Sequence, residues 1–198
     1  MVGNEERLDD ELFVTAWLWE EGKHTDFFRR FLDEVTGEEA AVDPDERQLE
    51  RRLLEGELRG SMQRLLTDAS PTALAQALTT YCLIVEGVLA DTGQRVLEEA
   101  LEARDLLPGL RAGLVLVNRD ESRHVAYGLH VLKRLMETDA AVADAVRKRV
   151  EELTPLVTRV ADAIMIRYET RPFGLSYALR EPIKRLVDQL ERLRPTAA

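Results

Sequence analysis

The sequence predicts an all-α protein, and three observations carry that prediction. Ala, Leu, Glu and Arg dominate the 198 residues, while glycine and proline supply only 11 and 7 of them. Strong helix formers with few breakers favour helix over sheet. Apolar residues recur at spacings of three and four through long stretches, and turn signals such as Ser70-Pro71, Leu107-Pro108-Gly109 and Arg171-Pro172-Phe173-Gly174 separate them. The length suits one domain, residues 1–198, with a sizeable core.

The first periodic segment runs from about Arg7 to Val35, with Leu8, Leu12, Val14, Ala16, Leu18, Phe27, Phe28, Phe31 and Leu32 at helical spacing. Gly37 suits its stop. A charged stretch from Asp43 leads into Leu49, Leu53, Leu54, Leu58, Met62, Leu65 and Leu66; Gly56 and Gly60 weaken this run, which predicts one or two shorter helices. Ser70-Pro71 opens the next helix as N-cap and first helical residue. It continues to about Ala103 and is apolar almost all round near Leu83–Ala90, the mark of a helix buried on most sides. Leu107-Pro108-Gly109 breaks the chain before a long helix from about Leu110 to Met136. Asp139 caps a helix to about Tyr168, Arg171-Pro172-Phe173-Gly174 turns, and a final helix ends near Leu193, with the tail from about residue 194 frayed.

The net charge of −10 is spread along helical faces and excludes nucleic acid as an expected partner. Cys82 is the one cysteine, set in Tyr81-Cys82-Leu83-Ile84-Val85, and reads as a small buried apolar residue. A chain without a disulfide fits a reducing, cytoplasmic setting. The N-terminus has no apolar h-region, so no signal peptide is expected. No uncharged apolar run reaches the length of a membrane span, so no transmembrane segment is expected either.

Chemistry enters with two copies of Glu-x-x-His, Glu21-x-x-His24 and Glu121-x-x-His124, and with Glu86 in the apolar stretch between them. A carboxylate and an imidazole at i and i+3 share one helix face. Two such helices, with glutamates from two others, build a dinuclear iron or manganese site in a bundle core. Glutamate fills 23 of 198 positions, so chance alone gives two of three histidines a Glu at −3 in roughly 4% of such sequences. The spacing alone therefore decides little, and the surroundings matter more. Both pairs lie in helices with apolar neighbours: Trp17, Leu18 and Phe28 near the first, Val117, Val125 and Leu129 near the second. Glu86 inside Leu83–Leu89 is costly to bury unless it is paired or holds a metal. Carboxylate oxygens with two imidazoles suit iron and manganese, and zinc less specifically. Asp120, next to Glu121, is placed to accept the free ring N–H of a metal-bound histidine; an exposed helix position is the equal alternative.

Three motifs carry a resemblance: Glu21-Gly22-Lys23-His24-Thr25-Asp26-Phe27-Phe28, Tyr81-x-x-x-x-Glu86-Gly87-x-x-Ala90-x-Thr92-Gly93, and Asp120-Glu121-x-Arg123-His124-Val125-x-x-Gly128. In order and approximate spacing they are similar to the ligand-binding oxidase relatives of the ribonucleotide reductase small subunit, from about Glu11 onward. The resemblance implies a ferritin-like helical bundle. It implies a manganese and iron (or di-iron) site that activates O2 and binds a long-chain fatty acid. Glu21, His24, Glu86, Glu121 and His124 would be the metal ligands, Asp120 would hydrogen-bond His24, and Tyr81 would match the tyrosine that becomes cross-linked to a valine. A homodimer that takes up a small apolar ligand and O2 is the expected form.

Some positions depart from that family. Its sixth ligand, a glutamate on an earlier helix, has no evident counterpart in the 20 residues before Glu21. Glu5 and Glu6, on the same helix, would lie roughly 20 Å or more away. The bundle is thus expected to lack its first core helix and the cross-linking valine near it, as in a longer chain read from an internal start. Gln94 stands where the family often has tyrosine. Phe28 replaces the tyrosine of radical-bearing reductase subunits, and the end Arg-Leu-Arg-Pro-Thr-Ala-Ala lacks their tyrosine-bearing tail. Both points count against a working ribonucleoside-diphosphate reductase small subunit, which stands as an alternative reading beside a non-catalytic metal-binding or interaction bundle.

Overall fold

The computed structural model describes residues 8–36 and 44–170, and every regular element among them is helical. Helix α1 spans Leu8–Phe31 and widens into π-helical Leu32–Thr36. Helix α2 is a continuous run of Pro44–Arg51, π-helical Arg52–Leu58 and Arg59–Arg64. Helix α3 joins Pro71–Leu78, π-helical Thr79–Ala90 and Asp91–Glu102. Helices α4 and α5 span Pro108–Thr138 and Ala140–Thr170. The expected last turn and final helix, with Gly37, Glu5 and Glu6, lie outside the described residues.

Local chemistry explains the boundaries. Ser70 Oγ accepts the N–H of Ala73 at 3.2 Å and Pro71 follows at the first helical position, so α3 starts where the sequence placed it. Asp139 in turn accepts the N–H of Ala141 at 2.8 Å and starts α5. Leu107 takes a left-handed conformation, φ 45°, to turn the chain into α4. Gly56 and Gly60 do not end α2, which continues through the widened turn of Arg52–Leu58 into Arg59–Arg64.

Helix α3 is the core of the bundle, packed on α4 and α5, with α1 across α4 and α2 across α5. Leu78, Cys82, Leu83, Ile84 and Val88 meet Leu132, Val146, Leu153 and Val157 in the main apolar cluster. By length and composition Pro71–Glu102 is apolar enough to cross a membrane, but 61% of its apolar window is buried inside the protein. Two glycines allow close contact between helices. A Cβ at Gly128 would stand 2.5 Å from Cys82 Cβ, and one at Gly113 would enter the ring of Phe27.

Helix α1 corrects the hydrophobic reading. Leu8, Leu12 and Leu18, expected on its inner face, are 65%, 59% and 75% exposed. The buried positions are Asp10, Trp17 and His24. The inward line there is made of charged and aromatic residues that have partners inside, so apolar periodicity misplaced Leu8, Leu12 and Leu18, while Phe27, Phe28 and Phe31 do pack against Leu101, Leu110 and Leu114.

Candidate metal centre

Helices α1, α3 and α4 bring the sequence-predicted residues to one place. Glu21, Glu86, Glu121 and His124 each offer a ligand atom, and these atoms lie within 4.8 Å of one another. The Nδ1 of His124 stands 3.3 Å from Glu21 Oε1, 3.5 Å from Glu86 Oε1 and 3.5 Å from Glu121 Oε2. The Nδ1 of His24 stands 3.2 Å from Glu121 Oε1 and 3.9 Å from Glu21 Oε1. The two imidazoles sit 6.2 Å apart, centroid to centroid. Each ring thus turns Nδ1 toward the carboxylates and Nε2 away from them.

The i→i+5 winding of Thr79–Ala90 matters here. It stacks residues five apart and so lines up Tyr81 with Glu86, which an α-helix would separate around its circumference. Both then face Trp17. The Trp17 indole donates Nε1–H to Glu86 Oε1 at 3.3 Å, and its ring stacks on Tyr81 at 5.2 Å and on His124 at 4.8 Å. Burial pushes the Tyr81 phenol up, with help from the neighbouring Glu86 charge. Phe28 packs elsewhere, beside Leu101, Leu110 and Leu114.

The electrostatics are those of a crowded anionic pocket. Burial raises Glu86 to about 7, which hydrogen bonding to His124 only partly offsets. Burial works against a charged His124, yet Glu121, Glu21, Glu86 and Glu20 together push it up to about 11. Burial likewise opposes ionisation of Glu21, but hydrogen bonding to His124 and the charges of both histidines leave its carboxyl below the usual range. A proton on His124 therefore supplies positive charge at the centre of the carboxylates.

The outward nitrogens meet a second pair of carboxylates. His24 Nε2 lies 3.3 Å from Asp120 Oδ2, and His124 Nε2 lies 2.9 Å from Glu20 Oε2. Each acidic residue precedes the motif glutamate on one helix and serves the histidine of the other. Glu20 is the residue that sequence reasoning missed. The signal was present: both motifs read acidic-Glu-x-x-His, 100 residues apart.

The residues fit a metal site by a test internal to the structure. Glu21 Oε1, His24 Nδ1, Glu86 Oε2, Glu121 Oε2 and His124 Nδ1 are buried without a hydrogen bond of sound geometry. Buried polar atoms in proteins rarely lack such bonds. Here each of the five inward-facing side chains contributes one such atom, and the ligand atoms of Glu21, Glu86, Glu121 and His124 lie within 4.8 Å of one another. Carboxylates with two imidazoles could hold manganese or iron, with oxygen donors in the majority.

No protein-family model matches the chain. Solved structures do. An R2-like ligand-binding oxidase variant with anaerobically reconstituted Mn/Fe cofactor matches at TM-score 0.83 and 26% identity, over 97% of this chain and 69% of its own. A second such variant matches at TM-score 0.84 and 26% identity, over 99% and 70%. The R2-like ligand-binding oxidase from Sulfolobus acidocaldarius matches at TM-score 0.80 and 27% identity, over 96% and 67%. The chain has the ferritin-like helical fold of these ribonucleotide reductase small-subunit-like proteins.

Proposed function

We propose that this chain, a structural relative of the R2-like ligand-binding oxidases, is a metal-dependent oxidoreductase that uses O2 on a bound apolar ligand resembling a long-chain fatty acid. Glu21, His24, Glu86, Glu121 and His124 hold manganese and iron, or two irons. The convergence of Glu21, Glu86, Glu121 and His124, whose ligand atoms lie within 4.8 Å of one another, with His24 Nδ1 3.2 Å from Glu121, carries this reading. When bound, the metals supply the redox equivalents for reducing O2.

The protein's own groups have separable tasks. Glu21, Glu86 and Glu121 bring the negative charge that two cations require. Asp120 and Glu20 accept from the outward ring nitrogens and fix which nitrogen of each histidine faces in. Trp17 covers the site, excludes water and orients Glu86. Tyr81, at the cross-link position of the family, stacks on Trp17.

The test is direct. Protein loaded with Mn(II) and Fe(II) under argon and then exposed to O2 should consume oxygen and release, on extraction, an oxidised fatty acid identified by mass spectrometry. Oxygen uptake that is the same in Glu86→Ala would contradict the reading.

A second reading, an interaction bundle, is favoured by the exposure of Leu8, Leu12, Leu18 and Trp19 on α1. Apolar surface of this kind promotes association. It is compatible with the first reading through a homodimer.

A further inference from the structure

The two outer carboxylates are not independent of each other. Arg123 Nη2 donates to Asp120 Oδ1 at 2.8 Å and also to Glu20 Oε1. The remaining oxygens of the same two carboxylates meet the histidines, Asp120 Oδ2 with His24 and Glu20 Oε2 with His124. The contacts His24–Asp120–Arg123–Glu20–His124 therefore form a continuous brace across α1 and α4, outside the cluster of donor atoms. Asp120 is buried. Lys23 reaches Asp120, at 3.3 Å from Oδ2. Among the described residues Arg123 alone bonds both carboxylates.

We propose that Arg123 is a positioning residue for both metal-binding histidines at once, and that Glu20 and Asp120 each position one. The chemistry favours arginine in this place. Its planar guanidinium offers several fixed donors and can hold two carboxylates in a set relation, whereas a lysine ammonium is a point charge on a flexible stem. A carboxylate held by Arg123 cannot turn away from its histidine, so the imidazole keeps Nδ1 inward. The brace thus acts on the two halves of the site together, while each carboxylate acts on one half.

This inference rests on the metal reading, and it makes a pattern that a merely structural role does not. Mn(II) binding to the whole chain is measured by equilibrium dialysis and by electron paramagnetic resonance, with thermal unfolding of each metal-free variant as a control. Loss of a group that orients a ligand costs about 10- to 100-fold in metal affinity. Glu20→Ala and Asp120→Ala should each weaken one Mn(II) equivalent and leave the other tight. Arg123→Ala should weaken both, and Arg123→Lys should fail to restore them although it keeps the charge and a similar length. Wild-type affinity for both equivalents in Arg123→Ala, or full rescue by Arg123→Lys, would overturn the brace while leaving the metal site standing. Equal weakening of both equivalents in all variants, in step with a lowered melting temperature, would also overturn it and assign the network to stability alone. A wild-type chain that binds no Mn(II) would overturn the metal reading, and the brace with it.

Discussion

Trp17 donates its indole N–H to Glu86 across 3.3 Å in a buried setting, which ties the first Glu-x-x-His helix to the one glutamate that sits in the apolar helix. The same ring stacks on His124 at 4.8 Å. An indole this close to two donor groups should report on what they bind. Adding Mn(II) or Fe(II) is expected to quench the emission of the wild-type protein. Trp17→Phe should abolish that response, and Trp19→Phe, at an exposed position, should keep it. A response carried by Trp19 would place metal binding elsewhere.

Protons should leave as metal enters. Metal-free His124 is held protonated up to about 11 and Glu86 up to about 7. At pH 7 loading should therefore release roughly one proton from His124 and about half of one from Glu86. Apparent Mn(II) affinity should rise between pH 6 and pH 8, read by titration in two buffers of different ionisation enthalpy. Release of no protons would show that the metal does not reach these two groups.

The same shifts set the pH dependence of the empty fold. Glu86 and His124 both have folded values above their ordinary ones, so the folded chain binds more protons than the unfolded chain. Stability from His124 is fully present below its ordinary value of 6.5 and is lost as pH rises toward 11. Glu86 acts in the same direction between 4.5 and about 7. Metal-free protein should unfold at lower denaturant at pH 9 than at pH 6. Glu86→Gln and His124→Gln should flatten that slope, and an unchanged slope in both would contradict the assignment.

Close packing beside the site gives a stability test. A Cβ at Gly128 would meet Cys82 Sγ at 2.6 Å as well as its Cβ. Gly128→Ala should cost about 1–3 kcal/mol by overpacking, seen as a lower denaturation midpoint. Gly93→Ala, with open space around it, is the control expected to lose nothing of the kind.

Much of this architecture was legible in the sequence for local reasons. Ser70, Pro71 and Asp139 mark helix starts through their own bonding, and Glu86 announces itself by standing where no unpartnered carboxylate belongs. The first half of the inner face of α1 was not legible from hydropathy, although Phe27, Phe28 and Phe31 at its end were. Asp10 faces inward because Tyr127 and Arg134 bond it at 2.8 and 2.9 Å, and those partners lie 117 and 124 residues away. Leu8, Leu12 and Leu18 keep helical spacing on the opposite side. Glu20 was missed because an acidic residue beside another looks like surface charge until the partner helix supplies His124. The π winding that aligns Tyr81 with Glu86 has no evident mark in the residues themselves.

Association follows from the exposed apolar side of α1. Sedimentation equilibrium of the whole chain should show a dimer, and Leu12→Glu with Leu18→Glu should shift it toward monomer. A wild-type monomer at every concentration would remove that surface from the account.

The central claim is a metal pair held by the five converging side chains, and metal content tests it most directly. Protein loaded anaerobically with Mn(II) and Fe(II), then desalted, should retain on the order of one to two metal ions per chain. Glu86→Ala and His124→Ala should each retain clearly less. Wild-type protein that keeps less than about a tenth of a metal per chain, or variants that keep as much as the wild type, would contradict it.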